Sequence, residues 1–112
     1  MTRSEDSALD IYRQFRGLIT SGQLGAGERL PTVRQTASDL GVAPGTVAKA
    51  YKMLEADGIV DTRVGSGTRV AATAAVLPGA VVRSIRDLVG QAGAAGLEPD
   101  DVIDAMRAMW QA

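Results

Sequence analysis

The sequence predicts a mainly α-helical fold with one small β-hairpin, in which a winged helix-turn-helix is followed by a two-helix tail. Three observations lead to this prediction. Two helical segments with apolar stripes are separated by a very short turn, two β-rich segments flank a glycine turn directly after them, and two further amphipathic segments follow. We place the winged helix-turn-helix domain at residues 1–75 and the helical tail at residues 76–112.

The first helix is expected from about Ser7 to Thr20. Four apolar residues recur there at helical spacing and form one stripe: Ile11, Phe15, Leu18 and Ile19. Ser21-Gly22 stops the helix, and the glycines and the proline of residues 23–31 indicate a turn-rich connection.

A second and a third helix follow with only a tight turn between them. Thr32 and Gln35 have the spacing of a capping box, so the second helix begins at about Val33, and Gly41 closes it. We expect its inward face to consist of Val33, Ala37 and Leu40. Pro44 suits the first position of the third helix, which runs to about Ala56. The inward face of this helix is expected to carry Val47, Ala50, Tyr51 and Leu54.

Two β-rich arms, residues 59–64 and 68–71, surround Gly65-Ser66-Gly67 and predict a β-hairpin. After a linker of small residues, two more helices are expected at about residues 80–95 and 99–111, each with an apolar stripe. Helices of this length are not stable alone in water, so the tail requires a partner surface.

The composition excludes most catalytic and metal-binding chemistry. None of the 112 residues is a cysteine or a histidine, which removes disulfides, thiol nucleophiles, histidine bases and the usual zinc sites. Asp100 and Asp101 fall at the start of a helix, where acids complement the helix dipole, so we expect neither a metal ion nor any other cofactor. We expect a protein that is not an enzyme. Without a secretion signal or a membrane-spanning apolar run, we expect it in the cytoplasm.

Several short runs of residues occur in the order that is typical of one group of bacterial regulators. They are Ile11-Tyr12, Ile19-Thr20-Ser21-Gly22, Gly27-Glu28-Arg29-Leu30-Pro31-Thr32-Val33-Arg34, Leu40-Gly41-Val42, Thr46-Val47, Ala50-Tyr51, Leu54-Glu55, Asp57-Gly58 and Gly65-Ser66-Gly67-Thr68. On these runs, residues 8–71 resemble the GntR superfamily. The remainder is far too short for the large ligand-binding domains of other subfamilies and resembles the two-helix tail of the YtrA-like subfamily. The resemblance implies a transcription regulator, a repressor, that binds double-stranded DNA.

The resemblance also implies a DNA surface around the recognition helix. Arg34 matches a DNA-contacting arginine of the family, and its guanidinium can bond bidentately to guanine or phosphate; the alternative is a salt bridge with a nearby acid. Thr46 lies at the leading end of the recognition helix, and Lys49 lies on nearly the same face. Lys52 extends that face. For Thr46, the alternative is a threonine that starts the helix and makes no contact with DNA. For Lys49 and Lys52, the alternative is a solvated surface lysine.

The hairpin turn resembles the family wing, whose tip approaches the minor groove and phosphates. Gly65 and Gly67 permit close backbone approach, and Thr68 offers a hydroxyl. Arg63 and Arg69 flank the tip. Each can either contact a phosphate or be a solvated surface arginine.

At the start of the recognition helix, the sequence departs from the family pattern. Relatives often have a Ser-Arg-Asn-Thr-Val-Arg type of run where this chain has Ala43-Pro44-Gly45-Thr46-Val47-Ala48. Two arginines commonly available for base reading are therefore missing, and the helix N-cap is poor. An operator sequence cannot be transferred from relatives.

The apolar stripes of the tail can be covered in two ways. The tail helices can pack on the first helix of their own chain or pair with a second chain. The resemblance implies the second arrangement, a homodimer on a pseudo-palindromic operator. The candidate dimer contacts are Val81, Ile85, Leu88, Val89, Met106 and Trp110. We expect no buried effector pocket within one subunit, and the sequence identifies no effector.

The charge distribution supports an alternative. The net charge is −1, with nine Lys+Arg against eight Asp+Glu in residues 1–75 and three against five in residues 76–112. DNA-binding domains usually carry a clearer basic excess. Together with the missing arginines, this leaves open a winged-helix protein-interaction module without specific DNA binding.

Overall fold

The computed structural model describes residues 3–63, 65 and 67–110. In chain order, the elements are α1 (Arg3–Thr20), α2 (Val33–Leu40), α3 (Pro44–Ala56), β1 (Val60–Arg63), β2 (Gly67–Val70), α4 (Gly79–Ala94) and α5 (Pro99–Trp110). The predicted fold class, mainly helical with one hairpin, is confirmed. Val64 and Ser66 of the predicted hairpin and Gln111 of the predicted last helix lie outside the described residues.

The core forms where α1, α2, α3 and the hairpin meet. Ile11, Phe15 and Ile19 of α1 are buried against residues of α3, as the stripe predicts. The predicted inward residues of α3 are all buried: Val47, Ala50, Tyr51 and Leu54. Full burial of an aliphatic side chain of this size contributes about 1.5–3 kcal/mol, so this cluster is the main source of stability in residues 3–77.

Local signals set both ends of α2. The Thr32 hydroxyl accepts from the Gln35 N–H at 3.1 Å, and the Gln35 side chain accepts from the Thr32 N–H at 2.9 Å, which completes the predicted capping box. At the other end, Gly41 has a φ of 66°, the left-handed conformation expected there.

The predicted inward face of α2 is wrong at Leu40. Its side chain is 44% exposed. The chain reverses at Gly41, where the Val42 N–H donates to the Ala37 carbonyl at 3.0 Å, and Val42 packs against the core in its place. An apolar residue just beyond a helix end commonly makes this contact.

The hairpin is part of a larger hydrogen-bonded arrangement. β1 and β2 are antiparallel, with Val60 opposite Val70 and Arg63 opposite Gly67. On the other side of β2, the Leu30 N–H donates to the Thr68 carbonyl and the Val70 N–H donates to the Glu28 carbonyl, both at 2.8 Å. An isolated two-stranded hairpin is only marginally stable. Here the segment 27–30, which belongs to the connection before α2, pairs with β2 and holds the hairpin in place.

The tail forms a separate compact unit, and the two units divide between Leu77 and Pro78, two residues beyond the predicted boundary. No described residue of α4 or α5 is buried. In α5, Asp100 and Asp101 occupy the first turn, and the Asp101 carboxylate accepts from the Glu98 N–H at 3.0 Å. Within the described residues, no helix is long and apolar enough to cross a membrane.

Candidate nucleic-acid interface

Arg34 lies exposed in the first turn of α2. The capping box fixes this turn, and a buried tyrosine fixes the residues around it. The Tyr51 hydroxyl donates to the Pro31 carbonyl at 2.7 Å and lies 2.9 Å from the hydroxyl of Thr36. These bonds tie both sides of the Arg34 backbone to α3, so Arg34 projects from a rigid base.

The Tyr51 ring is itself held in place. It meets the Phe15 ring edge to face, with centroids 5.4 Å apart and an interplanar angle of 88°, which is a favourable aromatic geometry. Burial raises the pKa of Tyr51 above its ordinary value, and the hydrogen bond with Thr36 partly opposes that rise. The hydroxyl is therefore neutral at physiological pH and available as a donor.

The start of α3 has the poor cap that the sequence predicts. Ala43 makes no side-chain capping bond, Pro44 has no N–H, and the Thr46 N–H donates to the Ala43 carbonyl at 3.0 Å. Gly45 therefore supplies the remaining amide of the first turn, and it is exposed.

The three predicted contacts on α3 differ in exposure. Thr46 is only 8% exposed, so little of its side chain reaches the surface. Lys49 and Lys52 are both exposed. If DNA meets this helix, the lysines offer much more contact area than the threonine does. The role of all three as DNA contacts stays a prediction.

The predicted wing residues lie on the hairpin. Gly65 and Gly67 have φ values of 81° and 73°, which L side chains rarely adopt. Arg63 is exposed, whereas Thr68 is half-buried with its hydroxyl 3.4 Å from that of Thr62. The Arg69 guanidinium donates to the Gly27 carbonyl at 3.1 Å, a contact that neither sequence interpretation of Arg69 anticipates.

Arg29 is a surface residue of this region that the sequence analysis did not single out. It lies opposite Arg69 in an isolated antiparallel bridge, and its guanidinium lies against Gly67. Arg29 also lines an open surface depression together with Arg34. No local pattern shows this, because the partners of Arg29 on β2 are far from it in sequence.

The helix-turn-helix of α2 and α3, followed by the hairpin, defines the class of winged helix-turn-helix transcription regulators. Residues 7–70, more than half of the chain, match the family described as bacterial regulatory proteins of the gntR family. The chain belongs to the GntR family of bacterial regulatory proteins, and its matched relatives are transcriptional regulators and not enzymes. This confirms the family resemblance.

Two curated relatives illustrate the similarity. The chain is 41% identical over 85 residues to the HTH-type transcriptional regulator Rv1152 of Mycobacterium tuberculosis, covering 76% of this chain and 69% of the relative. It is 41% identical over 64 residues to the HTH-type transcriptional repressor YtrA of Bacillus subtilis, covering 57% of this chain and 49% of that protein. Another relative is much longer, and the chain spans 17% of its length.

Two solved structures are similar in fold. YtrA from Sulfolobus acidocaldarius, a GntR-family transcription factor, aligns with a TM-score of 0.56 at 30% identity over 78% of this chain and 85% of that chain. The structure of AraR(DBD) in complex with operator ORR3 aligns with a TM-score of 0.56 at 25% identity over 58% of this chain and 78% of that chain. Together with the relatives, these matches support the YtrA-like interpretation and the binding of double-stranded DNA.

Proposed function

We propose that this protein is a cytoplasmic repressor that binds a pseudo-palindromic operator as a homodimer. The observation that carries the proposal is the joining of a GntR winged helix-turn-helix to a tail whose apolar faces are uncovered. The similarity to the repressor YtrA of Bacillus subtilis supports the repressor role. The proposal assigns no effector.

In this proposal, α3 enters the major groove and the hairpin approaches the adjacent minor groove. Arg34, Lys49 and Lys52 supply exposed positive charge near α3, and Arg63 and Arg69 supply it on the hairpin. Thr46, Gly65, Gly67 and Thr68 contribute through close approach of the backbone and through hydroxyl contacts. With Ala43, Pro44 and Gly45 at the start of α3, few side chains read bases directly, and we expect DNA shape to contribute a larger share of specificity.

A paired substitution tests the DNA surface. We expect Arg34→Ala combined with Lys49→Ala to abolish sequence-preferring gel shifts of the protein's own promoter region, because both residues are exposed beside or on the recognition helix. Arg13→Ala combined with Arg16→Ala removes the same charge from a depression that Asp57, at the far end of α3, also lines, and serves as the control. Equal loss in the two variants, or no loss in the first, would contradict the proposed surface.

Dimerisation is proposed from the tail. Val89 is 64% exposed and Trp110 is 83% exposed, and four further apolar residues project from the same helices: Val81, Ile85, Leu88 and Met106. Between α4 and α5, the side chains of Ile85, Leu88 and Met106 line an open apolar cavity of about 370 Å³. Helices of 16 and 12 residues without a buried side chain need a partner. A second copy provides one, because a two-fold axis brings the same apolar faces together.

Charged substitutions in the tail test this interface. We expect the wild-type chain to sediment as a dimer and the Val89→Asp, Met106→Asp variant to sediment as a monomer with weakened operator binding. Val76→Asp is the matched control, since Val76 is similarly exposed but lies before α4. A monomeric wild-type protein would refute the dimer.

Genome-wide mapping of binding sites tests the operator and the repressor role together. We expect inverted half-sites about one helical turn apart, or a multiple of it, and higher transcription of the bound genes when the protein is deleted. Single half-sites without symmetry, or lower transcription on deletion, would contradict the respective part of the proposal.

A further inference from the structure

Arg29 lies on the outer face of the hairpin. Directly opposed residues of an antiparallel pair share one face, and the face alternates along each strand. Arg29 is opposite Arg69, and Arg63 is opposite Gly67, so these four residues share a face. The other face carries the buried residues Leu30, Val60 and Val70. Arg29 therefore projects toward solvent, away from the core.

The Arg29 side chain extends along this face toward the hairpin turn. A Cβ atom at Gly67 would lie 2.9 Å from Arg29 Nε and 3.2 Å from Arg29 Nη2. The first distance is shorter than real Cβ contacts, so the guanidinium occupies the space that a side chain at position 67 would fill. Gly67 is the first residue of β2 and lies next to the turn.

Arg29 also borders the helix-turn-helix. It lines one open depression together with Arg34 and Gln35, residues of the first turn of α2. Arg29 thus neighbours both parts of the surface proposed to contact DNA: it lines the depression together with Arg34, and its guanidinium lies against Gly67 beside the hairpin turn. We call Arg34, Arg29 and the hairpin turn the strip.

The charge of the strip suits phosphate. On the described part of the outer hairpin face, three arginines accompany one acid, Asp61. The guanidinium of Arg69 already donates to the Gly27 carbonyl, at the end of the hairpin away from the turn. A guanidinium carries five N–H donors in a fork that matches phosphate oxygens.

We propose that Arg29 is a phosphate-binding residue of the DNA interface, beside Arg34 and the hairpin turn, and that the absence of a side chain at Gly67 leaves the space in which its guanidinium lies. This rests on the DNA-binding function of the family. It does not depend on dimerisation or on repression.

The first test is the affinity of Arg29→Ala for a mixed-sequence duplex of about three helical turns, measured by fluorescence anisotropy over a series of KCl concentrations. We expect about tenfold weaker binding at low salt and a log–log salt slope that is shallower by about 1, because one phosphate contact is lost. Arg29→Lys keeps the charge, and we expect it to keep most of the slope. Arg16→Ala is the control for general loss of charge.

An Arg29→Ala variant with wild-type affinity and slope, beside an Arg34→Ala variant that binds weakly, would overturn the role of Arg29 while DNA binding stands. If neither substitution changes binding, the proposed DNA surface fails and this inference fails with it.

The second test concerns Gly67. Gly67→Ala and Gly65→Ala both place a side chain at positive φ, but only at Gly67 does the new Cβ meet Arg29, since no atom of the described residues beyond its chain neighbours lies within 4 Å of a Cβ at Gly65. We expect the Gly67→Ala, Arg29→Ala double variant to lose less DNA affinity than the product of the two single fold losses. For the Gly65→Ala, Arg29→Ala double variant, we expect the two fold losses to multiply. Multiplying losses in both pairs would overturn the role of Gly67. Circular dichroism confirms that each variant is folded.

Discussion

The Tyr51 hydroxyl provides the sharpest test of how the core supports the DNA surface. Replacing Tyr51 with Phe removes the hydrogen bonds to the Pro31 carbonyl and to the Thr36 hydroxyl but keeps the ring that packs on Phe15. At about 1 kcal/mol for each net hydrogen bond, the loss is about 2 kcal/mol. For a domain of this size, that corresponds to a fall of about 10 °C in the unfolding midpoint.

Tyr12→Phe is the matched control. The Tyr12 hydroxyl donates to the Asp57 carboxylate, but this bond is exposed to solvent. Removing it is expected to cost less than about 1 kcal/mol, because water replaces the lost partner. Thermal and urea unfolding of both variants, followed by circular dichroism, give the comparison.

The Tyr51→Phe variant also shows whether the Tyr51 hydroxyl only stabilises the fold or also positions Arg34. Since Tyr51 ties Pro31 and Thr36 to α3 on both sides of Arg34, we expect Tyr51→Phe to weaken DNA binding severalfold at temperatures where it is fully folded. Equal stability losses in the two Tyr→Phe variants would refute the energetic reasoning. A large stability loss with unchanged DNA affinity would show that the hydrogen bonds do not position Arg34.

Three further predictions concern the core, the α2 cap and pH. Leu54→Ala is expected to lower the free energy of unfolding by about 2–5 kcal/mol, because Leu54 is fully buried, whereas Leu40→Ala should cost less than about 1 kcal/mol. Similar losses from urea titrations would contradict this. Thr32→Ala removes the capping bond to Gln35, and we expect it to cost about 1 kcal/mol in the same titrations; an unchanged midpoint would count against the cap. Burial raises the pKa of Tyr51 in the folded state, so its stabilising effect is complete below a pH of about 10 and is lost as the pH rises further. The stability difference between the wild-type chain and Tyr51→Phe should therefore stay constant up to a pH of about 10 and narrow as the pH rises above that value, and a difference that stays constant at higher pH would refute this.

The parts of the fold that local chemistry determines were predictable from the sequence. α3 begins at Pro44 and ends at Ala56 as expected, because proline and the apolar stripe act within a few residues. The capping box of α2 and the left-handed Gly41 follow from equally local signals. The prediction that Leu40 faces inward was wrong because the chain reversal at Gly41 brings Val42 to the core instead. A helical stripe does not include residues beyond the helix end.

The candidate site was less predictable, since it depends on contacts between distant residues. The stripe on α3 places Tyr51 in the core but does not show that its hydroxyl bonds Pro31 and Thr36. Arg29 belongs to a segment whose sequence predicts a turn-rich connection. Only the pairing of Arg29 with Arg69 of β2 shows that this residue lies at the hairpin. The roles of the predicted DNA and dimer residues remain predictions.

The order of the segments in the hairpin has a consequence for the solubility of the protein. β2 lies between β1 and the segment 27–30, so β1 is an outer strand, and among the described strands it pairs with β2 alone. It is only four residues long and carries the exposed Asp61 and Arg63. A short, charged edge is a poor template for an added strand from another molecule. The hairpin therefore resists strand-by-strand aggregation.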